Sequence, residues 1–166
     1  MTGTSQLSPH HEMPRSFTID CDGETLSCAA IEPLRTPTNP RTPLAAVVLH
    51  GAGTSDKTRH TALMADFAAR GHHALACDFS GHGNSTGQLG ELSLQRRFRQ
   101  ARAVIDHCVP AGSSLALIGF SMSGQTVADH RLGSWLADNS VPRSRFVAAV
   151  LRGTPYERTP PPPRLG

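Results

Sequence analysis

The sequence of 166 residues has few charged residues and no long hydrophobic run, and each of these shortages argues against a class of protein. Charged residues make up 17% of the chain, and a net charge of +3 is too small to single out a nucleic-acid partner. No apolar run approaches the roughly 20 residues that a membrane-spanning helix needs. We therefore expect no nucleic-acid partner and no stable membrane insertion.

The sequence also lacks the spacings that bind metals or nucleotides. Its four cysteines show no C-x-x-C spacing, and no Walker or dinucleotide-binding fingerprint occurs. We predict no metal and no organic cofactor. The cysteines are interpreted as reduced thiols in strands and a helix: Cys21, Cys28, Cys77 and Cys108. Reduced thiols and a polar N-terminus without a signal-peptide pattern favour a cytoplasmic protein.

Composition divides the chain into three parts. Residues 1–14 are rich in Ser, Thr, Pro and His, so we expect a disordered N-terminus. Residues 153–166 form a Pro-rich C-terminal tail, which cannot join a central sheet because proline lacks the N–H donor. Residues 15–152 suit a single domain, because a chain of this length can bury a sizeable core.

Within that domain, apolar patterns alternate between the strand period and the helix period. The dipeptide Asp22-Gly23 is a turn signal that predicts an antiparallel hairpin at the start of the domain. The later alternation predicts a three-layer α/β fold: a doubly wound, mostly parallel sheet with helices on both faces. The predicted strands are 16–21, 24–31, 44–50, 72–79, 115–118 and 146–151, and the predicted helices lie around 63–68, 94–108 and 127–135.

One helix carries four arginines away from its apolar residues. These are Arg96, Arg97, Arg99 and Arg102, on the helix around 94–108. No aromatic residues interleave with them, which weakens any nucleic-acid interpretation. We interpret the four as a solvated helix face.

A short turn rich in small residues lies between the predicted strand 115–118 and the helix that follows. Its sequence is Gly-Phe-Ser-Met-Ser-Gly, residues 119–124. Small residues let a strand double back into a helix without clashes, which lifts the Ser121 hydroxyl clear of the backbone at a helix N-terminus. Free N–H groups there can stabilise a developing negative charge.

Two other Gly-rich loops, residues 50–53 and 78–85, also follow predicted parallel strands, and strand ends of this kind build binding sites. With the turn at 119–124, they resemble the α/β-hydrolase family, and particularly its serine aminopeptidase-like and acylglycerol-lipase-like branch. The resemblance covers about residues 16–151. It implies hydrolysis of a small acyl substrate (a carboxylic ester, thioester or amide) through an acyl-enzyme.

The resemblance also implies roles for single residues. Ser121 matches the nucleophile, and the backbone N–H groups of Ala52 and Met122 match an oxyanion hole. The motif departs from G-x-S-x-G at Ser123, which is small enough for the turn. The residues that support the motif are His50, Gly51, Gly53, Gly119, Ser123 and Gly124.

The family's acid and histidine come after the nucleophile, and here the sequence departs from the pattern. Only Glu157 among the carboxylates, and no histidine, follows residue 151. His82 is a candidate base on the correct edge of the sheet, although its strand is expected to lie two places away. A serine without a base is a poor nucleophile. We therefore interpret the chain as an α/β-hydrolase core that lacks the C-terminal strands, lid, triad acid and triad histidine, with weak or no activity.

Two alternatives stay open at this point. Without further strands, one sheet edge would be exposed, and exposed edges pair readily with another chain. The chain would then be a non-catalytic binding or assembly protein, with a second copy or a partner chain covering that edge. The Arg-, Pro- and Gly-rich ending at residues 152–166 motivates the other hypothesis, a truncated gene product.

Overall fold

The computed structural model describes residues 13–35, 44–110, 113–132 and 146–151. Most of the predicted disordered N-terminus and the whole predicted Pro-rich tail lie outside these ranges, so both stay predictions. Within the described ranges, no helix has the length and hydrophobicity needed to cross a bilayer.

The described strands form one mixed sheet in the order β1-β2-β4-β3-β5-β6. Pairing is antiparallel between β1 and β2 and between β2 and β4, and parallel across β4-β3-β5-β6. This topology confirms the predicted N-terminal hairpin and the mostly parallel sheet. The bounds are β1 Arg15–Cys21, β2 Glu24–Ile31, β3 Leu44–Leu49, β4 His73–Cys77, β5 Ser114–Phe120 and β6 Phe146–Leu151.

The hairpin between β1 and β2 turns at the predicted dipeptide. Asp22 has φ 53° and Gly23 has φ 79°, and two consecutive positive φ angles are typical of the type I′ turn. Its twist matches that of the strands, so Cys21 pairs directly with Glu24.

Three helices in the described ranges cover both faces of the sheet, which confirms the three-layer architecture. They are α1 Thr61–Ala69, α2 Leu94–Cys108 and α3 Ser123–Leu132. Met64 and Ala68 of α1 pack on one face, whereas Ala101 and Val104 of α2 and Val127 of α3 pack on the other. Short 3-10 turns lie at Lys57–His60 and Leu89–Glu91.

The continuous apolar sequence of β3 follows from its central position. Ala46 and Val48 face the α1 layer, and Val47 and Leu49 face the α2 and α3 layer. All four are fully buried, because a parallel strand between two helical layers has no solvent-facing side.

The strand register brings three loops to one edge of the sheet. Leu49 at the end of β3 pairs with both Cys77 of β4 and Gly119 of β5. The segments that follow β3, β4 and β5, beginning at residues 50, 78 and 121, therefore leave the sheet at nearly the same level. This is the edge where the sequence predicts a site.

One prediction about α2 is wrong. Arg97 is 1% exposed and lies inside the fold, whereas the sequence predicts a solvated face. Its position explains the burial, because it lies four and seven residues before the buried Ala101 and Val104 and therefore shares their side of the helix. Of the other arginines, Arg96 is half-buried and pairs with Glu24, and Arg99 is exposed and pairs with Asp22.

The four cysteines are free thiols. They lie in β1, β2, β4 and α2, as the sequence predicts. Burial raises the pKa of Cys28 to about 12 and also raises the pKa of Cys77, so both stay protonated at neutral pH.

Candidate active site

Ser121 occupies a strained turn between β5 and α3. Its φ is 52°, in the left-handed region that residues with a Cβ rarely adopt. Its carbonyl accepts a 2.9 Å hydrogen bond from the Gly124 N–H, which closes the turn as α3 begins. The side chain is exposed. Backbone strain of this kind is concentrated at functional sites, which makes Ser121 the first residue to consider.

Gly119 is required by the tightness of the same turn. A Cβ atom at this position would collide with the backbone of Ser123 and with a methyl group of Val127. Only glycine lets α3 fold back this closely onto the end of β5. The local sequence therefore accounts for the position of the Ser121 hydroxyl.

The loop after β3 lies directly against Ser121. A Cβ atom at Gly51 would lie 3.3 Å from the Ser121 Cβ and 3.5 Å from the Phe120 carbonyl oxygen. Ala52 and Gly53 follow in this loop and are exposed. Within the described part of the chain, the N–H groups of Ala52 and Met122 donate to no backbone carbonyl, so both are available to a ligand.

His50 holds this loop by both ring nitrogens. Its Nδ1 lies 2.6 Å from the Gly51 carbonyl oxygen, and its Nε2 accepts a 3.0 Å hydrogen bond from the Phe79 N–H. Nδ1 therefore carries the proton. Burial lowers the pKa of His50 to about 3, so the ring is neutral and takes no proton at neutral pH.

Buried Arg97 and Ser123 tie the turn at Ser121 to the loop after β3. Arg97 Nη2 donates 2.7 Å hydrogen bonds to the His50 carbonyl oxygen and to Ser123 Oγ. Ser123 Oγ donates to the same carbonyl at 2.5 Å. The guanidinium also lies 4.0 Å from the Phe79 ring centroid, a cation–π distance. Burial lowers the pKa of Arg97 to about 10, which leaves it charged at neutral pH.

The third loop, residues 80–87, is organised by an ion pair beneath it. Lys57 Nζ lies 2.6 Å from Asp78 Oδ2, and both side chains are buried. The Asp78 carboxylate also accepts from the backbone N–H groups of Lys57 at 2.7 Å and Asn84 at 3.0 Å. Ser85 Oγ donates to the Asp78 carbonyl and accepts from the Ser27 N–H. These contacts give the loop a structural role.

The structure does not bring His82 to Ser121. Its Nδ1 lies 3.1 Å from the Ser80 carbonyl oxygen, and its ring packs against His50 with centroids 4.6 Å apart. Its loop follows β4, and β3 lies between β4 and β5 in the sheet. Within the described part of the chain, no histidine or carboxylate is hydrogen-bonded to the Ser121 hydroxyl.

Sequence reasoning missed three residues that share a pocket with Ser121. The pocket has a volume of about 200 Å³ and is lined by Gly51, Ala52, Ser55, Arg59, His60, Phe120 and Ser121. His60 is 2% exposed and stacks on Phe120 at 4.2 Å between centroids. Burial lowers the pKa of His60 to about 4. Their position in the sequence could have identified these residues, because Ser55, Arg59 and His60 directly follow the loop after β3.

Comparison with known proteins identifies the family and the fold. A model of the family "Serine aminopeptidase, S33" matches residues 41–160. This match contains β3 to β6, the three helices and the loops described above. A search of curated proteins gave no significant match.

Solved structures share the fold at low sequence identity. A putative hydrolase from Agrobacterium vitis S4 is 24% identical with a TM-score of 0.61, and the alignment covers 84% of this chain and 51% of that one. The thioesterase domain from the curacin biosynthetic pathway is 18% identical with a TM-score of 0.64, covering 89% and 50%. Est1E from Butyrivibrio proteoclasticus, solved with ferulic acid, is 24% identical with a TM-score of 0.59, covering 75% and 49%.

The chain spans about half the length of these structures, and their likeness to it concerns the fold. The family match is broader, because it extends over most of the chain and includes the Ser121 turn. The chain belongs to the serine aminopeptidase S33 family of α/β-hydrolases.

Proposed function

We propose that this chain is a serine hydrolase that cleaves carboxylic ester, thioester or amide bonds through an acyl-enzyme on Ser121. The observation that carries the proposal is the contact between the Ser121 turn and the Gly51 loop, beside a pocket. An exposed serine with φ 52° on a strand-to-helix turn has the geometry expected of a nucleophile.

The proposed reaction has two steps. Ser121 Oγ attacks the carbonyl carbon as its proton passes to solvent water, and the resulting oxyanion accepts hydrogen bonds from the Ala52 and Met122 N–H groups. Collapse of this intermediate breaks the bond to the leaving group, which takes up a proton from water and departs as the alcohol, thiol or amine. Water then hydrolyses the ester left on Ser121, which gives the free acid and restores the hydroxyl. Losing one such donor costs about 10²–10³ in turnover in a known serine hydrolase.

The proton of Ser121 needs an acceptor, and the described histidines are poor candidates. His50 uses both ring nitrogens within the fold, and its pKa is about 3. His60 shares the pocket, but its pKa of about 4 makes it a weak base at neutral pH. His82 is held by its own loop. We therefore expect slow turnover, sustained mainly by the oxyanion donors.

We also propose a cytoplasmic location and a cofactor-free reaction. The free thiols support the location, because they suit a reducing compartment. The proposed chemistry needs a hydroxyl nucleophile, two amide donors and a proton acceptor, and none of these is a metal or an organic cofactor.

Trapping of the covalent intermediate tests the proposal. After incubation with 4-nitrophenyl acetate, with samples quenched in acid over a time course, we expect an acetyl group on the peptide that contains Ser121. The Ser121→Ala variant should carry none, and Ser16→Ala, which alters an exposed serine of β1, should match the wild type. Acetylation that is unchanged in Ser121→Ala would refute the assignment.

A second candidate function is non-catalytic assembly. β6 forms one end of the described sheet and pairs only with β5 among the described strands, an arrangement that favours pairing with a second copy or a partner chain. Sedimentation at rising concentration tests self-association. A protein that associates, and whose Ser121 resists acetylation, would favour this function over hydrolysis.

A further inference from the structure

One charged side chain lines the pocket beside Ser121. Among its described lining residues, Arg59 is the only side chain that is ionised at neutral pH, because burial lowers the pKa of His60 to about 4. Ser55 adds a hydroxyl, and Gly51 and Phe120 add apolar or backbone surface. The pocket therefore presents a net positive charge within reach of the proposed nucleophile.

The Arg59 side chain has no hydrogen-bond or ion-pair partner within the described part of the chain. Its side chain is exposed, and it takes part in none of the ion pairs or side-chain hydrogen bonds found there. The nearest carboxylate in sequence, Asp56, is engaged elsewhere, because it accepts hydrogen bonds from the Thr58 N–H at 2.8 Å and the Thr58 hydroxyl at 2.5 Å. The guanidinium is therefore available to a ligand.

We propose that the pocket selects esters that carry a carboxylate group, which pairs with the Arg59 guanidinium and accepts from the Ser55 hydroxyl while the reacting carbonyl lies at Ser121. This inference rests on the proposed function. A carboxylate fits one arginine, because the planar guanidinium binds two carboxylate oxygens in parallel. A phosphate dianion would leave negative charge uncompensated by a single cation.

The size of the pocket limits the length of the substrate. Its volume of about 200 Å³ is below the roughly 300–1,000 Å³ of pockets that bury drug-sized ligands. A four- or five-carbon dicarboxylic acid, esterified at one end, has the required combination of one charge and one reactive carbonyl. A long acyl chain would extend beyond this pocket into solvent.

Binding to the Ser121→Ala variant tests the inference without depending on catalysis. We would titrate this variant with monomethyl succinate and with dimethyl succinate and follow backbone amide shifts by NMR. The two probes differ by one methyl group and one charge. We expect the anionic monoester to bind at least about tenfold more tightly, since a charge-assisted pair in a half-enclosed pocket outweighs the lost methyl contact. The largest shifts should lie at residues 51–60.

Three second-site variants, two at Arg59 and one at Arg70, locate the charge. Adding Arg59→Gln should abolish the preference for the monoester, and Arg59→Lys should keep part of it. Adding Arg70→Gln, which removes an exposed arginine just beyond α1, should leave the preference unchanged. The preference should also shrink as sodium chloride screens the pair.

Three results would overturn the inference: equal affinities for the two esters, a preference that survives Arg59→Gln, or no measurable binding of the monoester. Failure of the proposed function gives a different result, namely a wild-type protein that is never acetylated on Ser121. Because the binding test uses Ser121→Ala, the two failures are distinguishable.

Discussion

The Ser123 hydroxyl donates a 2.5 Å hydrogen bond to the carbonyl oxygen of His50. This bond crosses from the start of α3 to the end of β3 and fixes the Ser121 turn against the Gly51 loop. The position that G-x-S-x-G reserves for glycine is therefore filled by a residue that makes a contact glycine cannot make. Arg97 Nη2 donates to both oxygen atoms and completes a buried three-residue cluster.

Arg97 variants should separate stability from reactivity. In Arg97→Met, the free energy of unfolding should change by less than about 2 kcal/mol, because loss of the buried cation also removes its desolvation cost and Ser123 still satisfies the His50 carbonyl. Arg97→Ala should lose about 2–5 kcal/mol because it leaves a cavity. Both should slow covalent labelling of Ser121, since the loop loses an anchor. Urea unfolding and a labelling time course measure the two effects, and unchanged labelling in Arg97→Met would contradict the positioning role.

Gly51→Ala should reduce the reactivity of Ser121 more than it reduces stability. The new methyl group would lie 3.3 Å from the Ser121 Cβ, so the serine or the loop must shift by a few tenths of an ångström. Complete loss of an oxyanion donor costs about 10²–10³ in rate, and a displaced donor should lose part of that stabilisation. The control is Gly90→Ala, where nothing lies within 4 Å of the new methyl. Equal labelling rates for the two variants would show that the Gly51 loop does not take part.

Lys57→Met should strongly destabilise the fold. It would leave the buried Asp78 carboxylate with two backbone N–H donors and no cation. We expect a loss of about 3–5 kcal/mol in the free energy of unfolding. Arg99→Met, which breaks the exposed pair with Asp22, should cost less than about 1 kcal/mol. Chemical denaturation compares the free energies of unfolding of the two variants. Similar losses would show that the buried Lys57–Asp78 pair stabilises the fold no more than an exposed pair does.

The buried histidines predict a loss of stability on mild acidification. The pKa is lowered to about 3 for His50 and to about 4 for His60, from an ordinary value of 6.5. Below pH 6.5 the unfolded chain binds protons that the folded chain does not, so each histidine should cost about 2 kcal/mol between pH 7 and pH 5. The lowered pKa of Asp56 acts only near and below its ordinary value of 3.8.

Urea unfolding at several pH values checks this loss. His60→Phe, which keeps a ring against Phe120, should remove about half of it. The exposed His107, changed to Gln, should leave the slope as in the wild type. Stability that is constant from pH 7 to pH 5 would contradict the account of both buried histidines.

The fold was predictable because local signals agreed with the global arrangement. Asp22-Gly23 favours a type I′ turn through its local backbone preference, and the apolar run of β3 needs a helical layer on each face of the sheet. The turn at Ser121 was predictable for the same reason, since the backbone geometry there requires Gly119.

Contacts between distant segments were not predictable. The burial of Arg97 depends on carbonyl and hydroxyl acceptors from β3 and α3, which the sequence does not place near α2. Arg59 and His60 acquire their place in the pocket through the path of the chain after Gly53. The sequence pattern of α2 did contain one clue, because Arg97 falls in register with Ala101 and Val104.

Labelling with a fluorophosphonate, followed by peptide mapping, tests the central assignment most directly. The reagent mimics the tetrahedral intermediate and reacts with an activated serine hydroxyl beside oxyanion donors. We predict one adduct per chain, on Ser121, with none in Ser121→Ala and a wild-type amount in Ser16→Ala. Equal absence of label from the wild type and Ser121→Ala, or equal labelling of both, would contradict an activated nucleophile at this turn.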